Sequence, residues 1–195
     1  MSARALPAPV DERVWLRRAA TVLVRPREVF EAMRDDSDTA ARVRSEAVLA
    51  LVLLTGIASV LWTPTYGKLL DDVANDGLNV AVIAFIGGSL YGVLGYFLGG
   101  LLVYALTRAV GGATYRQARH VLAFASAPVA LSLFLVWPVR LAVYGQDVFR
   151  SGGSDHGAGN DVFYAVEALF VLWSLALLVL GLRIVLRRDP RVERL

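Results

Sequence analysis

The sequence predicts an all-α integral membrane bundle, with four transmembrane helices preceded by interfacial amphipathic helices. Three observations predict it. Hydrophobic residues make up 56% of the 195-residue chain against 19% charged, with a mean hydropathy of +0.55, which is too apolar for a soluble domain of this size. Four apolar runs, 47–63, 78–107, 121–144 and 162–186, approach or exceed the roughly twenty helical residues that cross a hydrocarbon core of about 30 Å. Finally, basic residues segregate by loop. Nine arginines precede the first run, three (Arg108, Arg116, Arg119) lie between the second and third, and five follow or close the fourth. The two remaining loops hold only Lys68 and Arg150, beside Asp71, Asp72, Asp76, Asp147, Asp155 and Asp161. Because cytoplasmic flanks are enriched in arginine and lysine, both termini are expected in the cytoplasm of a multi-pass cell-membrane protein.

The net charge of +3 and the pI near 9.5 then follow from topology and do not point to nucleic acid. The chain has no cysteine, which excludes a disulfide framework, a thiol nucleophile and a thiolate metal site. An N-terminal signal peptide is not expected, since residues 1–44 carry nine arginines and no continuous apolar core.

Residues 1–44 form a cytoplasmic segment. Leu16, Ala20 and Leu23, flanked by Val14, Trp15, Ala19 and Val22, make a broad apolar face. Trp15 with Arg17 and Arg18 suits an interfacial helix on anionic headgroups, or a helix that caps the bundle. Pro26 opens a second short helix, with Val29, Phe30 and Met33 on its apolar side. Asp35, Asp36, Ser37, Asp38 and Thr39 form a polar connector to the bundle, 45–187.

The second span contains GGSLYGVLGYFLGG, six glycines in fourteen residues. Helices in lipid associate by close van der Waals contact, and small residues let their backbones approach. Ala81, Ala84, Gly88, Gly92, Gly95 and Gly99 recur at steps of three or four, which is one helix face. That face predicts packing against another span, or a homodimer seam. At 1.5 Å per residue the span is roughly 45 Å long, so it tilts, bends or projects.

Gly111 and Gly112 permit a turn before Arg116, Arg119 and His120. This basic loop offers a surface for lipid phosphates or an acidic partner, or enforces topology by snorkelling. Pro128 and Pro138 are expected to kink the third span. Two charged residues lie within spans, Arg140 and Glu167; their expected depth predicts an ion pair, either structural or part of a cation pathway.

Conventional catalysis finds no motif. His120 and His156 fall on opposite sides of the membrane, and no metallopeptidase, nucleophile-elbow or phosphate-loop pattern occurs, so neither a metal nor another cofactor is expected. The acidic residues of the outer loop miss the spacing of a calcium loop. Its glycines predict a mobile linker, and Asp161 is expected to cap the fourth span.

VRPREVFEAMRDD ahead of the first span and LTRAVGGATYRQARHVLAFASAPVALSLF between the second and third resemble the Yip1-domain family of polytopic membrane proteins. The resemblance runs from about Pro26 to Arg187 and rests on 26–30, on Gly111, Gly112, Tyr115 and Arg116, and on Pro128. It implies a helical membrane protein with a cytoplasmic N-terminus. Eukaryotic members of the family are associated with trafficking, through small GTPases and one another. The family pattern has five spans where four are read here, which places the tail 188–195 in the cytoplasm. A single lysine among the 20 Lys and Arg residues suggests a GC-rich prokaryotic genome. The expected function is a non-enzymatic scaffold or adaptor that packs through the glycine face. Its partners would be membrane lipids and a protein or a second copy. The alternative is a small transporter or channel subunit using the kinked third span and Glu167; four spans alone rarely enclose a pathway.

Overall fold

A computed structural model describes residues 12–108 and 112–186, with side chains from residue 17 onward. Among these residues every regular element is helical: α1 (Glu12–Thr21), α2 (Pro26–Ala32), α3 (Asp38–Leu61), α4 (Gly77–Arg108), α5 (Tyr115–Ala125), α6 (Ala127–Tyr144) and α7 (Ala158–Leu186). Two short 3-10 helices, Tyr66–Asp71 and Gly145–Phe149, close the acidic end. Four stretches are long and apolar enough to cross a membrane: Asp38–Leu61, Gly77–Arg108, Tyr115–Phe149 and Ala158–Leu186. The side chain of Trp15, Gly111 and the tail 188–195 lie outside the described residues.

α3 and the α5–α6 rod form the centre, with α4 packed on one flank and α7 on the other. Most of α4 and α7 faces outward, through side chains such as Phe85, Leu94, Leu98, Leu169, Leu172 and Leu175. In lipid such faces need no cover.

α3 starts nine residues before the predicted span. Ser37 caps it by accepting the Ala40 N–H at 3.2 Å, and Asp38 occupies the first turn, where a carboxylate favours the positive end of the helix dipole. The polar stretch before Ala47 is therefore helical, and Ala41 and Val43 turn inward.

α2 begins with Pro26 in its first turn, as the fixed φ of proline favours. Its apolar side does not lie on a membrane surface. Val29, Phe30 and Met33, with Val22 after α1, join Val48, Val121, Phe124, Leu177 and Ile184 in one cluster. Residues 22–33 thus pack on the bundle and share its core. Gly181 makes this possible: a Cβ there would lie 2.8 Å from the Phe30 ring, so only glycine lets α7 receive the phenyl group.

The third span is two helices. Pro128 does not kink a continuous helix; it sits in the first turn of α6, after a break at Ser126, a position where the missing N–H breaks no helical bond. The break is satisfied locally. Thr55 Oγ1 of α3 donates to the Ser126 carbonyl at 3.3 Å, and Ser126 Oγ donates to the Ala123 carbonyl at 2.8 Å. Pro138 alone lies inside a helix.

Candidate functional site

Helix α4 meets its neighbours through glycines, but only part of the predicted face is used. Gly88 and Gly92 lie directly against α3: a Cβ on Gly88 would be 2.5 Å from the Ile57 Cα, and one on Gly92 3.1 Å from the Gly56 Cα. Gly56, in the first span, is the third member of this seam. Lower down, Gly99 faces Leu122, and Gly100 backs onto Arg119 so closely that a Cβ added to it would lie 2.5 Å from the Arg119 Cβ. Ala84 is buried against Val60 and Tyr66, while Ala81 is exposed. Gly95 meets nothing within 4 Å. The stripe therefore serves two partners, α3 and α5, with an open gap at Gly95 between them.

The basic end is organised by the 35–38 connector. Thr114 and Gln117 form a capping box that starts α5, which aims the α5 N-terminus and Arg116 at the connector. Arg116 Nε donates to Asp36 Oδ1 at 2.8 Å, its Nη1 donates to Asp38 Oδ1 at 2.6 Å, and its Nη2 reaches the Asp36 carbonyl. Thr114 Oγ1 donates to Asp36 Oδ2 at 2.6 Å. Two further bonds tie the adjacent residues. Gln117 Nε2 donates to the Arg34 carbonyl at 3.3 Å, and Arg34 Nε donates to the Ile184 carbonyl at 3.1 Å, which satisfies an acceptor in the last turn of α7. The Ser37 N–H on Asp35 holds that carboxyl below the usual carboxylate range. Arg44 is 1% exposed, 3.9 Å from Asp36.

These contacts redistribute the predicted surface. Arg116 serves an internal clamp, because Asp36 and Asp38 draw both sides of its guanidinium. Arg119 lies 5.3, 5.2 and 5.1 Å from the ring centroids of Tyr96, Phe97 and Tyr115, within cation–π range. Arg17 is exposed and Arg18 half-buried.

At the acidic end, Arg140 does not pair with Glu167. Its Nη2 donates to Asp155 Oδ2 at 2.9 Å and to Asn160 Oδ1 at 3.1 Å, and its guanidinium stacks 4.4 Å from the Trp62 ring centroid. The reason is depth. α7 begins at Ala158, not near Val162, so Glu167 lies nine residues inside it, roughly 14 Å, whereas Arg140 is four residues, roughly 6 Å, from the end of α6. Glu167, 8% exposed, instead has Ser132 Oγ at 3.0 Å from its Oε1.

The loop between α6 and α7 is tied down. The Ser151 hydroxyl and the Ser151 N–H, the latter donating to Asp71 at 2.8 Å, keep the Asp71 carboxyl low, and Val148 and Phe149 bury against Trp137. Tyr66, whose burial pushes its phenol up, donates to the Ile83 carbonyl at 2.9 Å. Asp161 is in the first turn of α7 and donates its own N–H to the Gly157 carbonyl, so it does not cap the helix. Among the described residues no acidic or histidine cluster is arranged to hold a metal ion.

Two neighbouring clefts flank the basic half. One, of about 570 Å³, lies between α3, α4 and α5 and is lined at its outer end by Arg42, Arg116, Arg119 and His120 and inward by Val48 and Val52. A second, of about 190 Å³, shares Val52 and Tyr96 with it and continues past Gly95 to Thr55 and Ser126. The gap at Gly95 thus opens into the second of these clefts.

A family model described as the Yip1 domain matches residues 20–192. Neither the curated proteins nor the solved structures searched contain a match to the chain. With four membrane-spanning stretches inside that match and nearly the whole length covered, the chain is a multi-pass membrane protein that belongs to the Yip1-domain family.

Proposed function

We propose that the protein is a non-enzymatic membrane scaffold or adaptor whose working face is its basic end, held in the cytoplasm. The observation that carries this reading is the connector clamp. Asp36, Asp38, Thr114 and Arg116 fasten the N-terminal helices to the bundle, so that membrane helices and cap move as one body. Around the clamp, Arg17 and Arg42 project from one end of the molecule, an arrangement that complements an acidic protein surface or anionic headgroups. A rigid cap on a lipid-embedded bundle presents such a surface at fixed height without ordering cost on binding. The outward faces of α4 and α7 leave room for a second copy or a partner helix.

The test is co-purification from native membranes in gentle detergent, followed by mass spectrometry. A stoichiometric protein partner, lost when Arg17 and Arg42 are both changed to glutamate, is the expected result. A homogeneous preparation without partner, combined with solute flux that disappears in Glu167→Gln, would replace the adaptor with a transporter. The buried carboxylate between α6 and α7, with Oε2 lacking a hydrogen-bond partner, is what that second reading rests on.

A further inference from the structure

We propose that the groove between α3, α4 and α5 is a binding site for one anionic phospholipid, with the headgroup phosphate at Arg42, Arg119 and His120 and an acyl chain running inward past Val52. The proposal rests on the working-face reading above and names a ligand for that face.

Charge, polarity gradient and length agree on this occupant. The charged residues lining the groove are arginines, and no carboxylate lines it; Asp36 and Asp38 point instead to Arg116. That leaves Arg42 exposed at the mouth, beside Arg119. His120 is 6% exposed and lines the groove, yet its Nδ1 has no hydrogen-bond partner, and neither does Arg119 Nε. A buried nitrogen without a partner is unfavourable, a cost that phosphate oxygens and ordered headgroup water would remove. Further in, the lining turns apolar through Val48, Leu49, Val52 and Val93. A soluble anion would have no use for that lower half, whereas an acyl chain would fill it.

The groove also has the right reach. From Arg42 to Thr55 is thirteen residues of α3, roughly 20 Å at 1.5 Å per residue, against a hydrocarbon half-thickness of about 15 Å. A chain anchored at the mouth therefore runs to the middle of the bilayer beside Gly95, where a larger residue would close the path.

The test is native mass spectrometry of the full-length protein in nanodiscs holding equal parts of phosphatidylglycerol and phosphatidylcholine. One phosphatidylglycerol retained per protomer, at least tenfold in excess over phosphatidylcholine, is expected. That preference falls to parity in Arg42→Gln combined with Arg119→Gln, and falls severalfold in Arg42→Gln alone, whose exposed position leaves the fold untouched if the double variant does not assemble. Gly95→Leu, which narrows the lower groove without touching a basic residue, is expected to reduce retention of both lipids. Equal retention of the two lipids by the wild-type protein overturns the proposal. So does an unchanged preference in Arg42→Gln, or displacement of the bound mass by millimolar inorganic phosphate, which would make the site one for a free anion. The two readings separate in the wild-type protein: phosphatidylglycerol preference without a co-purifying partner removes the adaptor and leaves the groove, and a stoichiometric partner without lipid preference leaves the adaptor alone.

Discussion

Gly92→Leu is expected to abolish recovery of monodisperse protein, while Gly95→Leu three residues away on the same stripe is expected to leave folding intact. The two differ in what a side chain would meet. At Gly92 a Cβ collides with the Val52 carbonyl and closes to 3.1 Å on the Gly56 Cα, both backbone atoms of α3. Backbone cannot rotate away, so α3 and α4 must separate along their whole shared length. Overpacking of a core side chain costs about 1–3 kcal/mol when neighbours can repack; here they cannot, and the cost is expected above about 3 kcal/mol, a large part of a total stability of about 5–15 kcal/mol. At Gly95 a Cβ meets nothing within 4 Å, and replacing a helical glycine removes a propensity cost of about 1 kcal/mol. Size-exclusion profiles and thermal midpoints in one detergent distinguish the two. Equal behaviour would show that the seam is not where Gly56, Gly88 and Gly92 place it.

Asp36→Ala is expected to release the N-terminal cap at a cost of about 2–3 kcal/mol. That figure lies below the roughly 3–5 kcal/mol for breaking a fully buried pair, because the side chains of Asp36 and Arg116 are 17% and 33% exposed. The loss is larger than for an ordinary surface pair because Asp36 is shared. It accepts from Arg116 and from Thr114, and stands 3.9 Å from the buried Arg44. Asp38 is the internal control. Its side chain is 89% exposed, so Asp38→Ala is expected to leave stability nearly unchanged despite its short contact. Amide exchange over residues 22–34 should accelerate in Asp36→Ala and Arg116→Gln, with a double-mutant cycle showing coupling between the two. Additive effects and unchanged exchange would mean that the cap is held by its apolar contacts alone.

The elements with a strong sequence signal are the ones that appear as expected. The apolar runs mark the four spanning stretches, and the proline at the start of α2 marks its first turn, because hydropathy over twenty residues and proline's fixed φ act locally. Helix starts are less legible. Ser37 at the head of α3 and the Thr114-to-Gln117 capping box of α5 are four-residue signals that the sequence does contain, but they are hidden among the charges of a connector and a loop. Pairings are the least legible. A 3.6-residue period shows that Gly88, Gly92, Gly95 and Gly99 share a face, yet says nothing of which helix stands opposite. Gly56 and Gly181 are isolated small residues whose importance exists only once Gly92 and Phe30 are brought against them. Arg140 shows the same limit: counting residues from expected span ends pairs it with Glu167, and a four-residue error in where α7 begins is enough to exchange that partner for Asp155.

Orientation underlies both the adaptor surface and the phospholipid groove, and the absence of cysteine makes it directly measurable. Single cysteines introduced as Arg17→Cys and Ser154→Cys lie at exposed positions at opposite ends of the bundle. In intact cells a membrane-impermeant maleimide is expected to label Ser154→Cys fully and Arg17→Cys only after permeabilisation. Labelling of Arg17→Cys from outside would put the clamp, the arginines and the mouth of the groove on the wrong face of the membrane and contradict the account.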